Sequence, residues 1–266
     1  MKLLSLQNLH SITIKSCSKI IRILKSFIVA EIASNWEGNI AVAKKLISQC
    51  KLAGADAVKF QMWRANDLYS SKHPNWNEIK KSEITFKKAK ILKDFSDKKK
   101  IDFFCSAFYP EAIDFLEELN VKHYKIASRT CLMKDPFSKE TLLSKAKTKK
   151  PVIISMGMGG NKKRIKEIFQ KNKPIFCYCI SKYPTKFNEI NWNKAVTFDG
   201  FSDHTIGISA PILYATLKKI QGSKNILIEK HVKLPNAIGP DASSSLDVEK
   251  FEQMISTIRQ IEASKI

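Results

Sequence analysis

Short apolar, β-rich runs alternate with amphipathic helical stretches along nearly the whole chain, and this alternation constrains the fold most. Such a pattern is typical of repeated βα units around a parallel sheet. The predicted strands cover residues 27–32, 57–61, 102–105, 123–126, 151–155, 174–179, 197–202 and 225–230. Eight parallel strands close a barrel, and a single (β/α)₈ domain takes roughly 250 residues. The 266 residues therefore predict an α/β fold, a single (β/α)8 TIM barrel over residues 27–266.

Helices are predicted between the strands, with capping residues at their ends. Examples are residues 39–53, 111–119 and 246–261. The stretch 62–83 is longer and polar, so it is predicted to be an active-site loop, because loops of this length in compact domains are usually functional or mobile.

Residues 1–26 contain five basic and no acidic side chains, a composition found in some organelle transit peptides. The stretch has no secretory apolar core and no cleavage site. We therefore interpret residues 1–26 as an N-terminal extension that ends in a short strand or hairpin at 11–24. Such an element could cover the bottom of the barrel.

The formal net charge of +21 allows nucleic acid, an anionic membrane or anionic substrates as partners. The basic residues are scattered over predicted helices, as at Lys162, Lys163 and Arg164, without an arginine-rich stripe. The charge is therefore attributed mainly to solvated helix faces, and small-molecule chemistry is favoured over nucleic acid or membrane binding.

Six cysteines lack the CxxC spacing of redox or zinc motifs, which favours a reduced, cytoplasmic compartment. No apolar run reaches the ~18 residues that a membrane-spanning helix needs.

Nearly every predicted strand ends in a polar residue. In a parallel barrel the carboxyl ends of the strands form the active site, so these residues are candidates for chemistry. They include Glu31, Lys59, Gln61, Ser106, Lys125, Ser128, Ser155, Ser181, Tyr183, Ser202, His204, Glu229 and His231.

Lys59 and Lys125 lie inside otherwise apolar strands, where an unpaired ammonium costs several kcal/mol. For either lysine alone, an ion pair with Glu31 or Asp56 is as good an explanation as a bound anion. For both together, a phosphate and carboxylate site is favoured. Three serines could donate to the same anion or could be helix caps. They are Ser128, Ser155 and Ser202.

His204 and His231 each follow one of the last two predicted strands. Imidazole is the commonest neutral ligand of first-row metals, so two on neighbouring strands predict an open metal site. Glu31 is available as a carboxylate, and Asp241 as a supporting group or a base. These residue types do not decide which metal would bind, and Mn, Mg, Fe, Co and Zn are all alternatives.

Several stretches resemble the N-acetylneuraminate (sialic acid) synthase family, which includes the legionaminate and pseudaminate synthases. They are FIVAEI (27–32), GADAVKFQ (54–61), YKIAS (124–128), PVIIS (151–155), FSDHTIG (201–207), IEKH (228–231) and GPD (239–241), together with Asn35, Gly38, Gly157, Met158, Tyr183 and Pro184. These motifs run in order over about residues 27–254.

The resemblance implies condensation of phosphoenolpyruvate with an N-acetylated hexose aldehyde and water, which gives a nonulosonic acid and phosphate for surface glycan synthesis. It places phosphoenolpyruvate near Lys59, Lys125, Ser128, Ser155 and Ser202, and the sugar near Glu31, Asp241, Ser181 and Tyr183. It implies a divalent metal on His204 and His231, with Mn²⁺ expected and Mg²⁺ or Co²⁺ as alternatives. A homodimer is the expected assembly.

The chain departs from the family pattern at Trp36, where a histidine is usual, at Arg129, where a glycine is usual, and at Ser181, where some members have asparagine. The resemblance covers the barrel domain only, without the C-terminal antifreeze-like domain. Two other readings stay open. One is another metal-dependent barrel aldolase or lyase; the other is a catalytically impaired homologue or binding protein that keeps only the fold.

Overall fold

The computed structural model describes residues 24–265, which form a closed parallel barrel surrounded by helices. The strands are β1 Lys25–Glu31, β2 Ala57–Met62, β3 Asp102–Ala107, β4 Tyr124–Ile126, β5 Val152–Ser155, β6 Ile175–Tyr178, β7 Gly200–Asp203, β8 Asn225–Lys233 and a short β9 Leu246–Asp247 beside β8. Strand β1 pairs with β8 in parallel register from Lys25 opposite Asn225 to Glu31 opposite His231, which closes the barrel. The predicted TIM barrel is confirmed. The hairpin predicted at 11–24 lies outside the described residues, apart from the buried Leu24.

The helices alternate with the strands, as the sequence pattern predicts. They are α1 Ile40–Leu52, α2 Ala65–Leu68, α3 Trp76–Lys81, α4 Phe86–Lys98, α5 Pro110–Glu118, α6 Ser138–Lys147, α7 Lys162–Ile168, α8 Trp192–Ala195, α9 Ser209–Ile220 and α10 Val248–Ala263. Capping residues determine where several of these helices begin. The Asn39 side chain accepts hydrogen bonds from the first free N–H groups of α1, and Pro110 begins α5, where its missing N–H costs nothing.

The prediction of an active-site loop over residues 62–83 is wrong about the loop, because this stretch contains α2 and α3. It is right about the place, because Trp63, Leu68 and Tyr69 line the cavity described below. Its fold depends on a few apolar anchors, among them the buried Ala65 and Ile79, and on a hydrogen bond from the Ala65 N–H to the Glu83 carboxylate. The residues around these anchors are polar, so hydrophobic periodicity in the sequence does not reveal the two short helices.

Side chains inside the barrel form layers, because alternate residues of a strand point to the same face. The lower layer is an apolar cluster of Val29, Ala57, Phe104, Ile153, Cys177 and Leu227. Two residues further along these strands lie Glu31, Lys59, Ser106, Ser155, Cys179 and Glu229. The inward-facing positions of these strands therefore carry apolar side chains in the lower barrel and mostly polar side chains at the carboxyl end.

The basic residues of α7 that suggested solvated helix faces are exposed, as are those of most other helices. The cysteines among residues 24–265 are buried free thiols. None of the helices in this described range is long and apolar enough to cross a membrane.

Candidate active site

A cavity of about 450 Å³ opens at the carboxyl end of the barrel. All fourteen residues predicted for the site line it: Glu31, Lys59, Gln61, Ser106, Lys125, Ser128, Ser155, Ser181, Tyr183, Ser202, His204, Glu229, His231 and Asp241. They come from all eight barrel strands or from the loops that follow them. The barrel therefore brings the candidates together, while their chemical roles stay predictions.

Two lysines and two glutamates form the charged floor of this cavity. Lys59 forms an ion pair with Glu31 and lies 3.3 Å from a Glu229 carboxylate oxygen. Lys125 donates to the other Glu229 oxygen at 2.6 Å. The alternative explanation of Lys59 as an ion-pair partner of Glu31 is thus confirmed, whereas Asp56 lies elsewhere and pairs with Arg259. All four side chains are at most 3% exposed, so their charges interact in a poorly solvated space.

The two glutamates of the floor have pKa values shifted in opposite directions. Burial, opposed by Lys59, raises the pKa of Glu31 to about 7. Burial also disfavours ionised Glu229, but Lys125 and Lys59 outweigh it and lower the pKa of Glu229 well below its usual range. A pair of carboxyl groups with separated pKa values can divide acid–base and electrostatic work. Glu31 can therefore exchange a proton near neutral pH while Glu229 stays ionised.

The serines around the floor are not helix caps, so that alternative is wrong. Ser202 donates to Glu229 at 2.8 Å, and Ser128 accepts from the Gly157 N–H at 2.9 Å. The buried Ser155 hydroxyl has no hydrogen-bond partner among the described residues. A buried hydroxyl without a partner is costly, and an anion in the cavity would satisfy it.

His204 and His231 lie side by side, with ring centroids 5.4 Å apart. The Nδ1 atom of His204 is 2.6 Å from the Ile180 carbonyl oxygen, which fixes the proton on Nδ1 and leaves Nε2 as the lone-pair donor. The buried Nδ1 of His231 has no hydrogen-bond partner among the described residues. Burial lowers the pKa of both imidazoles to about 4, so both are neutral at physiological pH.

These observations fit an open metal site with two histidines. Neutral imidazoles are the form that binds metal, and one buried ring nitrogen has no other partner. Across residues 24–265, no group of three His, Cys, Asp or Glu side chains is arranged to hold a metal by itself.

Asp241 faces the cavity from the loop after β8. Its Oδ2 accepts hydrogen bonds from the Ser34 hydroxyl at 2.5 Å and the Ser34 N–H at 3.2 Å. Asn35 supports the same loop by donating to the Val232 carbonyl and the Ser245 hydroxyl. Trp36, which stands where the family usually has histidine, is fully buried in the core and does not line the cavity.

The outer part of the cavity is lined by residues that were not among the predicted site residues. They are Trp63, Leu68, Tyr69, Phe108, Ala127, Arg129, Met158 and Pro240. Three of them, Trp63, Leu68 and Tyr69, lie in the stretch 62–83, so its polar, aromatic composition was a usable signal. Glu229 could be predicted as a strand-end residue, but its pairing with Lys59 and Lys125, which come from other strands, could not.

Comparisons with known proteins agree with this geometry. The NeuB family profile matches residues 46–265. An uncharacterized protein of Methanocaldococcus jannaschii is 35% identical over 89% of this chain and 71% of its own length. The pseudaminic acid synthase of Campylobacter jejuni is 31% identical over 90% of this chain and 75% of its own.

Among solved structures, the sialic acid synthetase of Leptospira borgpetersenii, in complex with citrate, superimposes with a TM-score of 0.79. It is 27% identical, and the alignment covers 89% of this chain and 83% of that one. The fold, the cavity and these matches lead to one conclusion: the chain belongs to the NeuB family.

Proposed function

We propose that this cavity condenses phosphoenolpyruvate with an N-acetylated hexose aldehyde and water, giving a nonulosonic acid and inorganic phosphate. The observation that carries the proposal is the buried pair Lys59 and Lys125 in the same cavity as the neutral pair His204 and His231. The names of the matched synthases support the same class of enzyme.

The anionic substrate is assigned to the floor of the cavity. Lys59 and Lys125 supply positive charge, and the unpartnered Ser155 hydroxyl supplies a free donor. With all four floor groups ionised the charges cancel, whereas protonation of Glu31 leaves a net positive floor. Because the pKa of Glu31 is raised to about 7, that protonated state is accessible near neutral pH and favours a highly charged anion.

In the proposed reaction, C3 of phosphoenolpyruvate bonds to the aldehyde carbon, and the aldehyde oxygen takes up a proton. Water adds at C2, where positive charge develops, and the C2–O bond to phosphate then breaks. The water oxygen stays on C2 as the carbonyl oxygen. One of its protons ends on the former aldehyde oxygen and the other on phosphate, so no further reactant is needed. Glu31 is the proposed proton carrier, and ionised Glu229 the proposed countercharge to C2.

A divalent cation is part of the proposal, with Mn²⁺ expected and Mg²⁺ or Co²⁺ as alternatives. It would be held by His204 and His231, and when bound it would polarise the aldehyde oxygen. Asp241, held in place by Ser34, faces the same space and would orient the sugar. Tyr183 packs on His204 with a centroid distance of 4.2 Å and limits where the sugar can lie.

The outer cavity supports an unphosphorylated acceptor. Trp63, Tyr69 and Phe108 give it an aromatic wall suited to acetyl methyl groups and sugar C–H faces. Arg129 is the one cation in this outer part among the described lining residues. Its Nε and Nη2 atoms each donate at 2.8 Å to the Asp135 carboxylate, which neutralises it. A second phosphate group therefore meets no unpaired cation here.

We expect phosphate release from phosphoenolpyruvate with N-acetylmannosamine or a 2,4-diacetamido-trideoxyhexose, and at least about tenfold lower kcat/KM with a 6-phosphorylated N-acetylhexosamine. The measurement is the rate of phosphate release with Mn²⁺ and each acceptor in turn. Faster release with the phosphorylated sugar would contradict the acceptor assignment. Release without any sugar would favour a different barrel lyase.

Replacing Glu31 by glutamine is expected to lower kcat by about 10²–10³-fold, because the amide cannot carry the proton. The affinity for phosphoenolpyruvate should stay equal or become tighter, since Lys59 loses a competing carboxylate. Steady-state kinetics and calorimetric binding of phosphoenolpyruvate separate the two effects. Glu111→Gln, at an exposed ion pair with Arg64, is the matched control and should behave as wild type. Weaker phosphoenolpyruvate binding in Glu31→Gln would argue against this role.

A homodimer and a cytoplasmic location complete the proposal. Ile206 and Ile238, which follow the neighbouring strands β7 and β8, are 75% and 80% exposed, and large exposed apolar groups at one end of a barrel favour a protein partner there. The buried free thiols agree with a reducing compartment.

A further inference from the structure

Lys145 is a buried lysine outside the cavity to which the proposed reaction gives no role. It lies on α6, and its side chain is 1% exposed. Its ammonium donates at 2.8 Å to the Ala107 carbonyl and at 2.8 Å to the Lys125 carbonyl. Across the described residues, no carboxylate forms an ion pair with it.

The two carbonyls belong to the strands that hold the floor of the cavity. Ala107 ends β3 directly after Ser106, which accepts a hydrogen bond from Lys59, and Lys125 is the middle residue of β4. Strands β3 and β4 are joined by a single register pair, Ser106 opposite Lys125, whereas β2 and β3 share six. Lys145 therefore bridges the two neighbouring barrel strands that share the fewest register pairs.

A tether that served stability alone would not need this charge. Burial is the largest of the causes that lower the pKa of Lys145 to about 7, and the charges of Lys59 and Lys125 act in the same direction. A buried ammonium without an anion disfavours the folded state, and a methionine of similar length would fill the same space. Groups that are unfavourable for folding are found mainly where function requires them.

We infer that Lys145 is a positioning residue of the anion site, whose ammonium fixes Ser106 and Lys125 in place through the backbone of β3 and β4 and adds positive charge behind them. The inference rests on the proposed use of phosphoenolpyruvate as the anion. Lys145 does not line the cavity, so it acts on the substrate through Lys125 and Ser106 rather than by contact.

The test is Lys145→Met, with Lys218→Met as the matched control. Lys218 is also a buried helix lysine that donates to a backbone carbonyl, that of Val196, but it lies beside Asp199 at the other end of the barrel. In Lys145→Met we expect the KM for phosphoenolpyruvate to rise about tenfold or more, with the KM for the sugar within about twofold of wild type. In Lys218→Met both values should stay unchanged.

A double variant checks that Lys145 acts through Lys125. Adding Lys145→Met to Lys125→Met should raise the KM for phosphoenolpyruvate far less than it does in wild type, since the two residues form one unit. Full additivity would overturn the inference. So would an unchanged KM for phosphoenolpyruvate in Lys145→Met, or an equal rise in both KM values that follows a loss of thermal stability.

The pH dependence gives a readout that a purely structural role would not move. Ionisation of the substrate affects the KM for phosphoenolpyruvate equally in the variant and in wild type, so it cancels in the ratio of the two KM values. This ratio should be largest below pH 7, where Lys145 is charged, and shrink as the pH rises above 7. The titratable groups that face Lys145 are Lys59 on β2, Cys105 on β3, Lys125 on β4 and Cys131; burial raises the pKa of both thiols, so they stay neutral.

If Lys145→Met does not fold, Lys145→Gln, which keeps an N–H donor without the charge, replaces it and should still raise the KM for phosphoenolpyruvate. Failure of both variants to fold would overturn the inference in favour of a purely structural role. Absence of turnover in wild type would contradict the proposed function, whereas an active Lys145→Met with a normal KM would contradict this inference alone.

Discussion

Replacement of Lys59 by methionine is expected to lower kcat/KM for phosphoenolpyruvate by about 10³-fold or more, because the reaction loses a preorganised charge in a water-poor site. Lys59 forms an ion pair with Glu31, lies 3.3 Å from Glu229, and donates to Ser106. Its removal takes away the cation that lowers the pKa of Glu31, so Glu31 stays protonated to higher pH. The floor then keeps only the Lys125–Glu229 ion pair, with no net positive charge to hold the anion. The measurement is phosphate release over a range of phosphoenolpyruvate concentrations.

Loss of folding must be separated from loss of charge in this variant. Lys59→Met combined with Glu31→Gln also removes the buried carboxyl group that loses its ion-pair partner, so it should fold, by circular dichroism and thermal melting, and stay inactive. Lys122→Met, which removes an exposed lysine paired with Asp102 at the far end of the barrel, should be fully active. Near-normal turnover in Lys59→Met would refute the assignment of the anion site.

The second large effect is expected at the histidine pair. His204→Ala and His231→Ala should each weaken Mn²⁺ binding at least about 100-fold and abolish detectable turnover, because only two protein side chains are assigned to the cation. Isothermal titration of the protein with Mn²⁺, without substrates, measures binding independently of activity.

A histidine at the opposite end of the barrel provides the control. His123 lies beside Asp102 and lines the opening at the amino ends of the strands, so His123→Ala should bind Mn²⁺ like wild type. Wild-type turnover that survives a chelator, or Mn²⁺ binding that is unchanged in both His204→Ala and His231→Ala, would contradict the proposed metal site.

The fold could be predicted from the sequence because each strand is a short apolar run with polar flanks. All eight barrel strands were found, with ends shifted by three residues at most. The short helices in the stretch 62–83 could not be predicted because they bury few apolar residues, namely Ala65 and Ile79. With so few buried apolar residues, the hydrophobic periodicity of a helix cannot be recognised in this stretch.

The site was predictable to the extent that it follows the period of two along the strands. Glu31, Lys59 and Glu229 each lie two residues beyond an apolar member of the interior cluster. What could not be predicted is the division of charge between Glu31 and Glu229, since it depends on lysines from other strands. Lys145 was predictable in part: it lies three and four residues after the buried Leu142 and Thr141, on the inner face of α6.

The pairing of Arg129 with Asp135 shows a different limit. Opposite charges six residues apart are visible in the sequence, but their place at the mouth of the cavity follows only from the closed barrel. The acceptor class depends on such outer contacts, and the anion site on the strands themselves. For this reason the sequence is more informative about phosphoenolpyruvate than about the sugar.

The most direct test of the central claim is a single reaction mixture with Mn²⁺, phosphoenolpyruvate and N-acetylmannosamine or a 2,4-diacetamido-trideoxyhexose, analysed for both products. One phosphate should be released for each nonulosonic acid detected by mass spectrometry, and neither product should form when the sugar is left out or Lys59→Met is used. Phosphate released without a matching nine-carbon product, or a product formed equally well by Lys59→Met, would contradict the claim.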